Sequence, residues 1–421
     1  MIDGSRTPFL RARGAPGPFS AADLAVAGGR PLLARQPLAP DAVDEVITGC
    51  VIPAPDEANI SRIISLRLGC GEKTPAWTVQ RNCASGMQSV VSGVDAVSSG
   101  RAEIVLSGGV EAMSRASLLF SQAMVIWLSR WRSAGMAGRL KLLTRLRGAH
   151  FAPVIALLRG LTDPVVNLSM GQTAENLAWQ FGIDRKTMDA FAVRSHRRLA
   201  RAREENLFGN EIEPLYGTDG TVYEQDDGVR PGTDLEQLAA LKPAFDRPFG
   251  QVTAGNSAQV TDGAAWLLLA GEEAVERHGL TPLGRVVDTC WAGVDPARMG
   301  LGPAHAVPPL LRRNELDMAD VDYWEINEAF AAQVLACLEA WNDEDYCRRE
   351  FGWDGALGQP EQEHLNVDGG AISLGHPLGA SGTRIILHLL HVLGRERARR
   401  GIASLCVGGG QGGAVLVERE Q

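Results

Sequence analysis

Two cysteines and one histidine lie beside glycine-rich turns that are far apart along the chain. Cys83 stands where a short apolar run, Ala76–Val79, gives way to a helix of small residues that begins at Ser85. The positive end of such a helix stabilises a thiolate, so we expect the pKa of Cys83 to be lowered. The alternative is a structural thiol buried at a tight turn, because free cysteine is among the most buried residue types. The pattern makes Cys83 a candidate nucleophile.

The histidine, His376, lies in a segment, Gly369–Gly382, that contains five glycines. It precedes Pro377, which favours extended or turn backbone, and a helix is predicted over Ala380–Leu393. This setting favours an accessible imidazole that acts as a base. A packed structural histidine is the alternative with equal weight.

The second cysteine, Cys406, ends a predicted buried strand. Glycine occupies five of the six positions from Gly408 to Gly413. Backbone N–H groups without side-chain cover are suited to hold an oxyanion. Two polar segments accompany these groups. Asn327 enters an otherwise apolar helix and either caps it or belongs to a site, and Val252–Gly263 is expected to line a narrow channel.

The order of elements predicts an α/β fold. A chain of 421 residues exceeds a single core of roughly 250–300, so two or three domains are expected. Helices alternate with short apolar strands in the first half, which favours layers around a buried sheet. Gly100–Gly109 and Arg400–Gly409 share a basic turn, an apolar strand and glycines, which indicates two similar halves facing each other. Residues 116–240 between them have a mostly helical pattern.

Four motifs together resemble the thiolase superfamily in order and approximate spacing, and the resemblance covers essentially the whole chain. They are Asn82–Gly86, Asn327–Phe330, Gly375–Pro377 and Cys406–Gly410. The resemblance is to 3-ketoacyl-CoA thiolases (acetyl-CoA acyltransferases), and most to the β-subunit type of the trifunctional fatty-acid oxidation complex. It implies two similar αβαβα layered halves with an inserted, mostly helical loop domain. The implied domains are 1–115 with 241–275, 116–240 with a basic insertion, and 276–421.

The resemblance also implies a mechanism and a role in fatty-acid β-oxidation. Cys83 would attack a 3-ketoacyl-CoA and become acylated, with His376 taking its proton. Cys406, as a thiol of ordinary pKa near 8.5, would protonate the departing acetyl-CoA enolate. The backbone N–H groups of Cys83 and Gly408 would form one oxyanion hole, and His376 with a water held by Asn327 the other.

Coenzyme A and acyl-CoA are expected as substrates, with no permanently bound cofactor and no metal site. The resemblance implies coenzyme A contacts from six residues: Met170, Phe245, Ala254, Ser257, Met299 and Phe330. Two departures affect these contacts. Many short-chain thiolases have His-Met where this chain has Ser169-Met170, and Ala-Ser-Gly where it has Ser257-Ala258-Gln259. Few residues precede Gly4, so the first strand of the family is expected to be absent or shortened.

Three other functions remain open. A biosynthetic acetoacetyl-CoA thiolase would condense two acetyl-CoA molecules with the same residues. A condensing enzyme of the ketoacyl-synthase type would carry a second histidine or an asparagine in place of Cys406. A non-catalytic acyl-CoA-binding relative would not be expected to retain both cysteines and His376.

Net charge and cysteine usage limit which classes of partner and which compartment are expected. The net charge of −9 gives no reason to expect nucleic acid. Seven scattered cysteines without a C-x-x-C pair suggest reduced thiols, and no signal peptide or membrane span is recognisable, so a cytoplasmic protein is expected. At least a homodimer, or a dimer of dimers, is implied by the resemblance, with a hydratase/dehydrogenase α subunit as a candidate partner.

The insertion over 117–160 has an unusual charge pattern. From Arg115 to Arg159 there are eight basic residues and no acidic one, which leaves −17 for the rest of the chain. Its tryptophans and leucines beside arginines suggest peripheral contact with an anionic membrane, cover for a long acyl chain, or contact with a partner subunit. A solvated basic helix near the coenzyme A phosphates or at the dimer interface is the alternative. The insertion favours medium or long acyl chains.

Overall fold

A computed structural model describes residues 1–420, and its strands are named in chain order. They are β1 Asp3–Arg6, β2 Leu10–Arg11, β3 Glu45–Gly49, β4 Ala76–Val79, β5 Ile104–Ala112, β6 Leu118–Leu119, β7 Val154–Ile155, β8 Leu215–Tyr216, β9 Val222–Tyr223, β10 Thr261–Ala270, β11 Gly284–Gly293, β12 Tyr323–Ile326, β13 Arg400–Val407 and β14 Gln411–Arg419. The first strand, which was expected to be absent or shortened, is present as the four-residue β1.

The α-helices are named in the same way. They are α1 Ala21–Ala34, α2 Ile60–Leu68, α3 Ser85–Ser98, α4 Gln122–Ser133, α5 Met136–Leu143, α6 Gly148–Phe151, α7 Ala156–Gly160, α8 Met170–Gln180, α9 Arg185–Glu204, α10 Leu235–Ala239, α11 Glu272–His278, α12 Gly302–Arg313, α13 Ala331–Asn342, α14 Glu344–Tyr346, α15 Ala371–Leu374 and α16 Leu378–Glu396.

Both large sheets repeat one topology. In the first, the strands lie in the order β1-β10-β5-β3-β4, with β3 parallel to β4 and β5, and β10 antiparallel to β5. In the second, the order is β11-β14-β13-β12, with β12 parallel to β13 and β13 antiparallel to β14. A parallel bridge from Trp324 to Leu365 extends the second sheet where β4 extends the first. The two strands that share the sequence pattern, β5 and β13, therefore hold equivalent places.

The αβαβα layering is confirmed, and it runs through the two halves together. Helices α1 and α2 cover the outer face of the first sheet in one apolar cluster. Helices α3 and α16 lie side by side between the sheets, and their cluster contains residues of both, such as Ile47 and Leu405. Helices α12 and α13 cover the outer face of the second sheet. Each half supplies one sheet and one of the two central helices.

Most predicted elements are found, with shifted ends. The helix predicted from Ser85 to Ser98 is α3 itself. Helix α9 begins at Arg185, and the Asp184 side chain caps it by accepting a hydrogen bond of 2.7 Å from the N–H of Thr187. The apolar strand in Gly100–Gly109 is β5, which continues through the glycines to Ala112. The helix predicted over Ala380–Leu393 is α16, which extends from Leu378 to Glu396.

One helix start and one capping alternative differ from the sequence pattern. Within the mostly helical pattern of 116–240, the first α-helix begins only at Gln122, because Leu118–Leu119 pairs with Val154–Ile155 as a short ribbon. Asn327 does not cap the following helix, because α13 begins at Ala331 and Phe330 holds the cap position.

All seven cysteines are free thiols. Within residues 1–420, none of the helices combines the length and the apolar character needed to cross a membrane.

Candidate active site

Cys83 lies in a tight turn between β4 and α3. It is half-buried, and the preceding residue, Asn82, has a left-handed backbone with φ of 43°. The Asn82 side chain donates a hydrogen bond of 2.7 Å to the carbonyl of Gly408. Because Gly408 follows β13, this bond ties the Cys83 turn of the first half to the glycine turn of the second.

His376 lies between α15 and α16, and its imidazole has partners on both sides. Its Nδ1 is 2.7 Å from Oγ of Ser381, and that hydroxyl donates its own proton to the carbonyl of Pro377 at 3.0 Å. The hydroxyl therefore accepts from Nδ1–H, which assigns the neutral tautomer with a free lone pair on Nε2. Nε2 lies 3.5 Å from the Asn327 side-chain nitrogen. The structure thus presents an unprotonated Nε2 in the site.

A single cavity of about 410 Å³ connects the three candidate reactive groups. Cys83, His376 and Cys406 all line it, although they come from the ends of three different elements. Of the residues expected to contact coenzyme A, five line it as well: Met170, Phe245, Ser257, Met299 and Phe330.

Three candidate residues lie apart from that lining. Asn327 is fully buried beside His376, and the backbone N–H of Gly408 points at the Cys83 thiol. Ala254 is exposed and is not among the lining residues. The roles of all these residues remain predictions.

More than half of the residues that line the cavity are additional to the predicted site residues. The additional lining residues are Met113, Leu158, Leu161, Thr162, Ser169, Gly171, Ala258, Gln259, Val260, Ala329 and Leu378. Most are ordinary apolar side chains that carry no chemical signal. A usable signal was present at Ser169, which departs from the short-chain motif, and in the segment Val252–Gly263, which was expected to line a channel and supplies Ala258, Gln259 and Val260.

Known protein families and relatives agree with the resemblance that the four motifs indicate. The family described as "Thiolase, N-terminal domain" matches residues 1–273, and "Thiolase, C-terminal domain" matches residues 280–419. A beta-ketoadipyl-CoA thiolase of Pseudomonas aeruginosa is 42% identical over 424 residues, which span 100% of this chain and 98% of the relative. The chain belongs to the thiolase family. It is therefore an acyltransferase, as the motif resemblance predicted.

Two further proteins are similar to this chain over nearly its whole length. The mitochondrial trifunctional enzyme subunit beta of Bos taurus is 35% identical over 420 residues, spanning 99% of this chain and 87% of the relative. The structure of human mitochondrial 3-ketoacyl-CoA thiolase in complex with CoA matches with a TM-score of 0.85 and 36% identity. The match covers 99% of this chain and 97% of the human chain.

The thiolase site keeps its two thiols protonated. Burial raises the pKa of the Cys83 thiol, although the N–H groups of Gly408 and of Cys83 itself oppose the rise. The expectation that the start of α3 lowers this pKa is wrong in sign, because lost hydration outweighs the helix end. Burial also raises the pKa of Cys406 well above its ordinary value, and the nearby thiols of Cys83 and Cys337 add to the rise. An ordinary pKa for Cys406 was therefore also a wrong expectation.

The same burial acts on the imidazole in the opposite direction. Desolvation, with the nearby Arg384 cation, lowers the pKa of His376 to about 4. At neutral pH the site therefore contains two neutral thiols and one neutral imidazole.

We expect His376 to titrate near pH 4 rather than near its ordinary value of 6.5. NMR of protein with ¹³C-labelled histidine measures this midpoint without any substrate. The His376→Gln variant lacks one resonance and so assigns the signal. A midpoint near 6.5 would contradict the buried, neutral imidazole.

Proposed function

We propose that this chain is a degradative 3-ketoacyl-CoA thiolase. It would cleave a 3-ketoacyl-CoA with coenzyme A to acetyl-CoA and an acyl-CoA shortened by two carbons, as in fatty-acid β-oxidation. The observation that carries this proposal is that two thiols and an unprotonated imidazole line one cavity. A second thiol distinguishes it from a ketoacyl-synthase-type condensing enzyme.

The first half-reaction acylates Cys83. Its sulfur bonds to C3 of the substrate, and its proton passes to Nε2 of His376. The N–H groups of Cys83 and Gly408 donate hydrogen bonds to the C3 oxygen, on which negative charge develops. Losing such a donor typically costs roughly 10²–10³-fold in rate. The C2–C3 bond then breaks, and its electron pair stays on C2 as the acetyl-CoA enolate.

The second half-reaction restores the enzyme. Cys406 gives its proton to C2 of the enolate and is left as a thiolate. That thiolate takes the proton of coenzyme A, whose sulfur attacks the acyl group on Cys83. The Cys83 sulfur leaves and regains its proton from His376. The raised pKa of Cys406 makes it a strong base once it is ionised, which suits this exchange.

Separate substitutions test the two thiol roles. Cys83→Ser should lower both thiolysis and acyl exchange between acyl-CoA and coenzyme A by at least about 10³-fold, since losing a nucleophile costs up to roughly 10⁶-fold. Cys406→Ser should lower thiolysis to a similar extent and acyl exchange much less, because exchange breaks no carbon–carbon bond and leaves no carbanion to protonate. Thiolysis is measured spectrophotometrically, and acyl exchange is measured with labelled coenzyme A. A Cys83→Ser variant as active as the parent would exclude Cys83 as the nucleophile.

The cavity wall favours an apolar acyl chain. Leu158, Leu161 and Leu378 line it, and no Lys or Arg side chain is among its lining residues within 1–420. A carboxylate at the far end of the substrate would lose its hydration without gaining a cation. This argues against a dicarboxylic substrate of the kind that the Pseudomonas relative's name describes, and for a fatty acyl chain.

We expect catalytic efficiency to rise with chain length. From acetoacetyl-CoA to 3-ketooctanoyl-CoA, four more carbons enter the cavity, and about 0.8 kcal/mol per buried CH₂ predicts up to about 10²-fold higher kcat/KM. 3-Ketohexadecanoyl-CoA should also exceed acetoacetyl-CoA, and 3-ketoadipyl-CoA should lie below 3-ketooctanoyl-CoA. A strong preference for the four-carbon substrate would indicate the biosynthetic reaction instead, and one for 3-ketoadipyl-CoA would overturn the apolar-chain argument.

We also propose that the insertion over 117–160 holds this otherwise cytoplasmic enzyme at an anionic membrane surface. Twelve large apolar side chains of the insertion are exposed: Leu118, Leu119, Phe120, Val125, Ile126, Leu128, Met136, Leu140, Leu143, Phe151, Ile155 and Leu158. The eight basic side chains from Arg115 to Arg159 are exposed as well, and within 1–420 none of them forms an ion pair. Apolar and cationic groups without carboxylates are the two signals that membrane attachment needs.

Vesicle binding tests the surface. The parent should sediment with vesicles that contain anionic lipid, and less so as salt rises. Replacing Arg130, Arg132 and Arg145 together with Gln should lower the partition coefficient by about 10²-fold, at about 1 kcal/mol per cation. In the matched control, Arg30, Arg101 and Arg348, which lie outside the insertion, are replaced together with Gln. This control should bind to the vesicles as the parent does. Equal binding to neutral and anionic vesicles, or none to either, would contradict the proposal.

A further inference from the structure

The short helix α15, Ala371–Leu374, carries His376 two residues beyond its end. Four residues are too few for a helix that is stable by itself. Its first N–H groups and last carbonyls have no partners within the helix and must find them elsewhere. In this fold, side chains from other segments bind both ends.

The N-terminal end of α15 is held by a buried carboxylate and a buried hydroxyl. Glu328 accepts a hydrogen bond of 3.3 Å from the N–H of Ile372. Ser195 accepts one of 3.2 Å from the N–H of Gly370 and donates its proton to Glu328 at 2.6 Å. A carboxylate is the favourable charge at this helix end. There is no space beside it, since a Cβ on Gly370 would lie 2.4 Å from the Glu328 carboxyl carbon.

The C-terminal end of α15 is held by Gln259. Its side-chain nitrogen lies 3.1 Å from the carbonyl oxygen of Ile372, 3.3 Å from that of Ser373 and 2.9 Å from that of Gly228. Its backbone carbonyl accepts a hydrogen bond of 3.1 Å from the N–H of His376. One residue therefore contacts both the helix end and the backbone of the histidine.

The surroundings leave the His376 loop little freedom. A Cβ on Gly228 would lie 2.6 Å from the carbonyl oxygen of Ser373. Gly375 has a φ of 112°, and a Cβ there would lie 2.3 Å from a methyl carbon of Thr261. The loop is thus closely enclosed, and the amide of Gln259 is the donor that faces its open carbonyls.

We propose that Gln259 is a positioning residue, whose side-chain amide holds α15 so that Nε2 of His376 meets the Cys83 thiol. This inference rests on the proposed function. It gives a reason for one departure from the short-chain motif, where glycine occupies this position and supplies no side-chain donor. Gln259 does not itself touch the reacting atoms.

The test compares Gln259→Met and Gln259→Glu with the parent. Methionine keeps the length and volume of the side chain but donates no hydrogen bond. Glutamate keeps its shape but places carboxylate oxygens against carbonyl oxygens. The matched control is Gln36→Met, which removes a half-buried amide bonded to Asp3 and Leu32 in another part of the fold.

The first readout is the rate of Cys83 alkylation by iodoacetamide as a function of pH, with Cys83→Ser as the blank. It needs no substrate and reports how well His376 accepts the thiol proton. We expect both Gln259 variants to react more slowly at neutral pH, by up to about 10²-fold, because misplacing a catalytic group by about 1 Å costs that much. Gln36→Met should match the parent.

The second readout separates kcat from KM in thiolysis. A misplaced base should lower kcat by a larger factor than it changes KM for coenzyme A. Variants that keep the parent's alkylation rates and kcat, whether or not they melt earlier, would overturn the proposal. If the two variants fail to fold, the same measurements are made on Gln259→Asn, which has a shorter side-chain amide. If the parent does not thiolyse 3-ketoacyl-CoA, the proposed function fails, while alkylation still decides the role of Gln259.

Discussion

The active site depends on a backbone contact that only glycine permits. A Cβ on Gly109 of β5 would lie 1.9 Å from the carbonyl oxygen of Gly379 in α16, and a Cβ on Gly86 of α3 would lie 2.5 Å from the same oxygen. The starts of both central helices therefore press against one strand and against each other. Because Cys83 precedes α3 and His376 precedes α16, this contact brings the two residues to one place.

A buried carboxylate reinforces that contact. Glu111 of β5 accepts hydrogen bonds from the N–H groups of Val51, Ile52 and Gly379, at 3.0, 2.9 and 3.0 Å. It thus binds the start of α16, from the second half, to a loop of the first. Burial raises the pKa of Glu111 to about 7, although the three backbone donors oppose the rise. The interface between the halves is therefore polar where the start of α16 needs an acceptor.

Burial also determines how the site handles protons. It raises the pKa of both thiols and lowers that of the imidazole, so the neutral form of each group is favoured. In the proposed mechanism, charge appears only when a proton moves from a thiol to His376 or to a carbanion. A site of this kind suits chemistry in which the substrate supplies the developing charge and backbone N–H groups receive it.

The α/β class, the repeated halves, the start of helix α3 and the candidate reactive groups could be predicted from the sequence, because periodicity, glycine turns and motif order are local signals. The sequence did not predict the direction of the pKa shift at Cys83 or the raised pKa of Cys406. It also did not predict the hydrogen bonds from the side chain of Gln259 to α15. Gln259 and Ile372 are far apart along the chain, and the hydration lost by Cys83 depends on what both halves place around it. Desolvation and long-range hydrogen bonds exist only once the sheets have packed, so the tertiary structure decided them.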